Sequence, residues 1–120
     1  MHFKLVYRHG PKMALAEVTA LAFLESAEPV LRQIEKRTRQ HGDKRLLVNL
    51  MDVVGTFGPQ EQQAIGQLAT RYLSHLEKIA SLVPEEKITR VSEQVAQSAG
   101  MQLRVFTSFT DAGAWLVAED

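Results

Sequence analysis

The sequence contains no cysteine, and this absence excludes several kinds of chemistry. Without thiols the chain has no disulfide bond, no thiolate metal site and no cysteine nucleophile. No apolar run approaches the ~20 residues that a membrane-spanning helix needs, so no membrane span is predicted. The N-terminal stretch MHFKLVYRHG is too short and too charged for a signal peptide, which favours a cytoplasmic protein.

An excess of charge of either sign is also missing. Fourteen lysine and arginine side chains balance fourteen aspartate and glutamate side chains, so nothing favours nucleic acid as a partner. Hydrophobic residues make up 45% of the chain and charged residues 23%, which is typical of globular proteins. A length of 120 residues predicts one domain over residues 1–120.

The periodicity of the apolar residues predicts alternating strands and helices. Five strands are predicted at residues 3–8, 12–20, 45–53, 78–83 and 102–108, the first two as a hairpin. Helices are predicted at residues 26–42, 59–76, 85–99 and 111–119. Pro29 indicates that the first helix either begins near Ser26 or kinks, and Thr110 is the predicted cap of the last helix. The order ββαβαβαβα predicts an α/β fold with a mixed, mostly parallel five-stranded sheet and helices packed on it.

Residues 46–51 form a nearly unbroken apolar run within the third predicted strand. Such runs are typical of strands that are buried on both faces, so we expect this strand to be central. Asn49 interrupts the run and needs a hydrogen-bond partner if it is buried.

The stretch VNLMDVVGTFGPQEQ, residues 48–62, combines the end of this strand, a glycine turn and the start of a helix. In α/β folds the carboxyl ends of central strands are places where binding crevices form. We therefore predict a binding site here, formed by Asp52, Thr56, Phe57 and Gly58. Asp52 has a second interpretation, as a turn residue that bonds its own backbone. Ser108 and Thr110 are further candidates for the same crevice.

Sequence signatures of catalysis are missing. The chain has no G-x-S-x-G motif, no phosphate-binding loop and no pair of histidines four residues apart. We predict no catalytic residue, no metal site and no cofactor, and interpret the four histidines as surface residues. A small hydrolase stays open as a third class, because catalytic triads are assembled in space rather than in sequence.

Four stretches carry a family resemblance: RLLVNLMDVVG, HLEKIASLVP, LRVFTS and TDAGAWL. Together they resemble the STAS domain, and more closely the SpoIIAA-like group of small bacterial proteins. The resemblance implies a regulatory module that binds a protein partner. Anti-sigma-factor antagonists carry a phosphorylatable serine where this chain reads Gly58-Pro59-Gln60-Glu61, and Thr56 is the nearest hydroxyl. The sequence therefore predicts that this phosphoswitch is lost.

The resemblance also implies an alternative ligand. The SpoIIAA-like group is similar to CRAL-TRIO lipid-binding domains, so a small hydrophobic ligand could lie between the sheet and the helices at 59–76 and 85–99. Its candidate walls are Phe57, Ile65, Phe106 and Phe109, which are otherwise ordinary core residues. Trp115 is expected to pack the last helix onto the sheet. A homodimer is left open, and the basic stretch 32–45 is either a solvated helix face or a surface for an acidic partner.

Overall fold

Alternating strands and helices build one sheet that carries helices on both faces. The structure is a computed structural model that describes residues 3–119. Its strands are β1 (Phe3–Arg8), β2 (Ala14–Leu21), β3 (Arg45–Val54), β4 (Lys78–Leu82) and β5 (Leu103–Phe106). Its helices are α1 (Leu24–His41), α2 (Pro59–Leu73), α3 (Val91–Ser98) and α4 (Phe109–Val117), with a 3-10 turn at Glu85–Lys87 before α3.

The sheet joins an antiparallel hairpin to a set of parallel strands. β1 pairs antiparallel with β2, and β2, β3, β4 and β5 are parallel neighbours in the order of the chain. A helix connects each parallel pair, because the chain must run back to the other end of the sheet before it can begin a parallel strand. The predicted fold class, element order and mixed, mostly parallel sheet are confirmed.

The helices divide unequally between the two faces of the sheet. The larger core cluster joins Leu46 and Val48 of β3 to side chains of α1, α2 and α3. The smaller cluster joins Leu47 to Ala112 and Leu116 of α4. Because successive side chains of a strand point to opposite faces, three consecutive residues of β3 supply two separate cores.

β3 is buried in its first half and exposed at its end. Residues 46–48 are buried, but the side chain of Met51 is 43% exposed. The prediction that the whole range 46–51 is buried on both faces is therefore wrong for its last residues. The reason is that β4 pairs with β3 only as far as Asn49, so the rest of β3 lies beside β2 alone.

A β-bulge changes the side-chain alternation of β3. Between two paired positions, Asn49 and Asp52, β3 advances three residues while β2 advances two. The side-chain oxygen of Asn49 accepts a hydrogen bond from the backbone N–H of Met51, 3.0 Å away. Because of the extra residue, the side chain of Val53, rather than that of Asp52, lies on the same face of the sheet as Val48.

α1 begins two residues ahead of the predicted start near Ser26 and ends where expected. Pro29 lies inside the helix, where it has no N–H to donate to the carbonyl of Glu25 one turn earlier. Gly42 follows the helix with φ of 67°, and its backbone N–H donates to the carbonyl of Arg39. The left-handed conformation favours glycine at this helix end, as the sequence predicts.

The predicted helix over residues 85–99 is wrong, because the segment divides into a 3-10 turn and the short helix α3. Tertiary hydrogen bonds hold the residues between them in a non-helical path. The hydroxyl of Thr89 donates to the side-chain oxygen of Gln62 in α2. The guanidinium of Arg90 donates from a terminal nitrogen to the carbonyl of Val105 in β5, 3.0 Å away. These bonds attach the segment to α2 and β5, so it does not form part of a continuous helix.

α4 begins at a serine cap. The hydroxyl oxygen of Ser108 accepts a hydrogen bond from the backbone N–H of Asp111, 3.2 Å away. The prediction of Thr110 as the cap is wrong, because α4 begins at Phe109 and Thr110 already lies in its first turn. Ser108 thus satisfies a backbone donor that the first turn of a helix leaves unpaired.

Two cations hold the carboxyl end of α4 against the sheet. Lys78, which is 3% exposed, donates from Nζ to the carbonyls of Trp115 and Ala118, 3.1 Å from each. The guanidinium of Arg45 donates to the carbonyls of Leu116 and Ala118 at 2.7 and 2.9 Å. Positive charge at this end complements the helix dipole. Within residues 3–119, no helix has the length and apolar composition needed to cross a membrane.

Candidate functional site

The predicted turn joins the exposed end of β3 to the start of α2. Gly55 adopts a left-handed conformation with φ of 94°, and a β-carbon there would lie 3.3 Å from the β-carbon of Ala22. Both facts favour glycine at this position. Pro59 is the first residue of α2, as predicted, and a side-chain oxygen of Glu61 accepts a hydrogen bond from the backbone N–H of Gly58 at 2.9 Å. The turn therefore has a defined backbone path into the helix.

The four predicted binding residues lie in three environments. Thr56 and Phe57 line a cavity on the face that carries α1, α2 and α3. Gly58 is the N-cap of α2 and does not line the cavity. Asp52 is exposed and, because of the bulge in β3, lies on the opposite face from Val53. The structure therefore brings two of the four residues together and leaves Asp52 away from them.

The cavity has a volume of about 220 Å³ and lies between the sheet and the three helices of the larger core. Most of its lining is apolar, and it includes Val48 and Val53 of β3, Val30 of α1 and Ile65 of α2. An apolar cavity of about 150 Å³ is enough to hold benzene. Sites for drug-sized ligands begin at about 300 Å³. The space therefore suits a small apolar molecule.

Hydrogen bonds from polar side chains connect the segment that follows β4 to residues that line this cavity. Nζ of Lys87 donates to the backbone carbonyl of Val53, 2.7 Å away. The amide nitrogen of Gln62 donates to the carbonyl of Phe57 at 2.9 Å, and its oxygen accepts from the hydroxyl of Thr89. The end of β3, the turn and the segment after β4 are thereby connected around one opening.

Two of the predicted cavity walls are wrong. Phe57 and Ile65 line the cavity, but Phe106 and Phe109 do not. Phe106 packs on the other face of the sheet, where its ring centroid lies 5.7 Å from that of Trp115. Phe109 is 51% exposed at the start of α4. The strand alternation of β5 sends Val105 into the cavity and Phe106 away from it, and Trp115 packs on the sheet as predicted.

An apolar surface adjoins the turn. Leu21, Phe23 and Val54 are 53%, 55% and 64% exposed. Leu21 and Val54 are paired neighbours on β2 and β3, and Leu21 and Phe23 also line the cavity. We call these three residues the apolar rim. Several large exposed apolar side chains side by side are typical of a surface that contacts a partner.

A second polar cluster lies at the other end of the sheet, and the sequence analysis missed it. Asp43, which is 7% exposed, accepts a hydrogen bond from the Tyr7 hydroxyl on one carboxylate oxygen. Nδ1 of His9 lies 2.6 Å from the other oxygen. The ring of His41 stacks on His9, with centroids 4.9 Å apart. Burial and the hydrogen bond to Asp43 raise the pKa of the Tyr7 hydroxyl well above its usual value.

The sequence carries only a partial signal for this cluster. Tyr7 lies in the first predicted strand and His9 follows directly after its end, so continued alternation would place both on one face. Asp43 lies 34 residues after His9, and only the fold brings the two together. His9 and His41 are exposed, as predicted for the histidines, but His75 is partly buried with Nδ1 inaccessible, so the prediction is wrong for it; His2 lies outside the described residues. Within residues 3–119, no group of side chains has the composition and geometry of a metal site.

The comparisons with known proteins identify the family. The family model described as SpoIIAA-like matches residues 15–117, so this chain belongs to the SpoIIAA-like family. The match includes β2 to β5 and the helices that connect them. The predicted family membership is confirmed. A search of curated protein sequences finds no significant match.

Two solved structures are similar to this chain in fold. The crystal structure of an anti-sigma factor antagonist from Mycobacterium paratuberculosis has a TM-score of 0.63 and 12% sequence identity. It covers 96% of this chain, which in turn covers 94% of it. A protein with a SpoIIAA-like fold from Shewanella loihica has a TM-score of 0.52 and 12% identity, with 95% and 93% coverage. At these identities the likeness establishes the fold alone.

Proposed function

We propose that this protein is a non-catalytic regulatory module that binds a protein partner. The partner would bind at the end of the sheet where β2 and β3 have their carboxyl ends. The observation that carries this proposal is the apolar rim, Leu21, Phe23 and Val54, beside the turn that the sequence predicts as the binding site. Desolvating such side chains in a complex stabilises it. The similarity to an anti-sigma factor antagonist supports a protein as the partner.

The exposed Asp52 and Thr56 fit the periphery of the same surface. Protein interfaces combine an apolar centre with a polar, solvent-accessible rim. Asp52 and Thr56 lie two residues before and two residues after Val54 of the apolar rim along the chain, and they supply a carboxylate and a hydroxyl. Gly58 contributes indirectly, because it sets the start of α2 and so the path of the turn.

Site-specific photocrosslinking tests the proposal. A photoreactive amino acid replaces Val54 in cells, and the control variant carries it at Lys36, an exposed position on α1. We expect one dominant protein to be crosslinked from position 54 and not from position 36. The same product should decrease when Phe23→Ser is added, because this change removes apolar area from the rim. Equal crosslinking from both positions would contradict the proposal.

A second candidate function rests on a separate observation, the apolar cavity of about 220 Å³. In this alternative the protein carries or senses a small hydrophobic ligand, which would be bound between β3, α1 and α2. Most of the lining is apolar, and the polar groups near its opening, Gln62, Lys87 and Thr89, would face the less apolar end of a ligand. The partner surface and the cavity share Leu21 and Phe23, so a ligand could alter the rim that the partner contacts.

Native mass spectrometry distinguishes the two functions. Protein purified without detergent should retain an apolar molecule if the cavity is a ligand site. The variant Ala69→Leu adds side-chain volume to the cavity wall and should lose that molecule while remaining folded. The variant Val54→Ser should keep the ligand but no longer bind the partner that crosslinking identifies. Protein without any bound molecule that also fails to bind hydrophobic probes would exclude the second function.

A further inference from the structure

The His9–Asp43 pair lies far from the apolar cavity, at the edge of the sheet where β1 ends and β2 and β3 begin. An open cavity of about 250 Å³ adjoins it, lined by the hairpin turn at 9–13 and by residues 42–45. We propose that this cavity is a phosphoacceptor site. In it, Nε2 of His9 takes a phosphoryl group from a small donor of the phosphoramidate or acyl phosphate class.

The hydrogen bonds fix which nitrogen of His9 is available. An ionised carboxylate only accepts hydrogen bonds, and Asp43 already accepts one from the hydroxyl of Tyr7. Nδ1 of His9, 2.6 Å from the other oxygen of Asp43, therefore carries the proton and donates it to that contact. In the neutral ring this leaves the lone pair on Nε2. A nitrogen with a free lone pair, on a ring held by a buried carboxylate, is the arrangement of an activated nucleophile.

The surroundings of the pair suit a phosphoryl group. The side chain of His9 is 48% exposed, so a donor reaches it from solvent, while the Asp43 side chain is only 6% exposed. Lys12 and Lys44 line the same cavity and supply positive charge for phosphoryl oxygens. Arg45 also lines it, but its guanidinium is held by the carbonyls at the end of α4. His41 stacks against the His9 ring and restricts its rotation.

The phosphoryl transfer to His9 needs no reactant other than the donor. The lone pair of Nε2 in His9 forms a bond to phosphorus, and the bond from phosphorus to the leaving group breaks. With phosphoramidate, ammonia leaves with the bonding electron pair. The proton on Nδ1 stays in place, so the phosphorylated ring becomes positively charged beside the carboxylate of Asp43. The carboxylate stabilises this charge as it develops, in the way that a buried aspartate stabilises an imidazolium ion in serine hydrolases.

Chemical phosphorylation of the whole protein tests the site. Phosphoramidate is added at neutral pH without acid quenching, because phosphate bound to imidazole is lost in acid. Fragmentation in a mass spectrometer then follows each of the four histidines in the same sample. We expect His9 to be labelled about tenfold faster than His41, which is also exposed, a modest effect for a positioned catalytic group. Equal labelling of His9 and His41 would overturn the proposal.

Variants separate activation from mere exposure. Asp43→Asn should lower the labelling rate of His9 to that of His41, because the amide oxygen cannot stabilise the charged ring as a carboxylate does. Chemical denaturation of Asp43→Asn is the control for lost stability, and the two labelling rates are compared under conditions in which both proteins are folded. Lys12→Gln with Lys44→Gln should slow labelling several-fold, whereas Lys4→Gln with Lys36→Gln, at exposed positions outside the cavity, should not. Labelling of Asp43→Asn at the wild-type rate would contradict the role of this pair.

Discussion

Gly66 in α2 lies so close to Val95 in α3 that a β-carbon at position 66 would be 2.9 Å from the β-carbon of Val95. The same atom would lie 3.1 Å from the backbone oxygen of Ser92, which has little freedom to move. The missing side chain therefore allows α2 and α3 to pack together on the face that contains the apolar cavity. Helix packing at this distance depends on a small residue at the contact.

Gly66→Ala is predicted to lower the free energy of unfolding. Overpacking typically costs about 1–3 kcal/mol. The higher helix propensity of alanine offsets roughly 0.5–1 kcal/mol of this loss. We expect a net loss of about 1 kcal/mol in chemical denaturation. Gly113→Ala in α4 is the matched control, since its β-carbon meets nothing within 4 Å, and it should raise stability. Equal effects of the two substitutions would contradict the tight contact.

Trp115→Ala is predicted to lower the free energy of unfolding by about 3 kcal/mol, as large-to-small changes at packed positions do. The indole contacts Phe106, and the ammonium of Lys78 lies 5.2 Å from its ring centroid. Its loss leaves buried Lys78 without this aromatic neighbour. Phe109→Ala on the same helix is the control, because Phe109 is half-exposed and should change stability by less than about 0.5 kcal/mol. Chemical denaturation of the three proteins measures the difference.

His75 is predicted to make the folded protein sensitive to mild acid. The hydroxyl of Thr38 donates to the carbonyl of Ile34 at 2.8 Å, so it accepts a hydrogen bond from Nε2 of His75, also at 2.8 Å. The other ring nitrogen is buried and has no hydrogen-bond partner within residues 3–119. Burial, followed by the charge of Arg39, lowers the pKa of His75 below its ordinary value of 6.5.

The sign of the pH effect follows from this shift. Near pH 6.5 and just below it, the unfolded chain binds a proton at His75 more readily than the folded protein does. The free energy of unfolding therefore decreases as the pH falls through 6.5 and increases again as it rises. We expect His75→Gln, whose amide keeps a donor for Thr38, to reduce the slope of stability against pH between 5 and 7. An identical slope in the wild type and the variant would contradict a neutral, partly buried His75.

The order of the elements was predictable because it depends on local patterns. Gly42 and Pro59 mark helix ends through backbone geometry, which each residue determines by itself. The helix predicted at 85–99 was wrong because Thr89 and Arg90 form hydrogen bonds to distant elements, and no local pattern contains those bonds. Short-range periodicity predicts helix in such a segment even where tertiary contacts decide otherwise.

The place of the turn after β3 was predictable, but the side chains that face the cavity were not. The end of β3 and its glycine turn follow from the apolar run and the glycines at 55 and 58. The bulge after Asn49 does not, and this one extra residue places Val53 instead of Asp52 on the cavity face. The pairing of His9 with Asp43 could not be predicted from the sequence either, because it depends on how the hairpin lies beside the end of α1.

Thr56 is predicted not to replace the phosphorylatable serine that the family resemblance implies. It is exposed, but the position that would hold a phosphate, the first turn of α2, is already occupied by a carboxylate. A side-chain oxygen of Glu61 accepts the hydrogen bond from the N–H of Gly58, and Pro59 has no N–H to offer. A phosphate on Thr56 would therefore meet a negative charge where a helix start would otherwise attract it.

Incubation with cell extract and ATP, followed by phosphosite mapping, should therefore show no stoichiometric phosphate on Thr56. Thr56→Glu and Thr56→Ala should bind the crosslinked partner with affinities within about threefold of each other, a difference of roughly 0.7 kcal/mol. Glu61→Gln tests the role of the negative charge at Glu61, because it removes this charge and keeps a side-chain oxygen for the N–H of Gly58. Stoichiometric phosphate on Thr56 of the wild type, together with loss of partner binding, would show that the switch persists at this threonine.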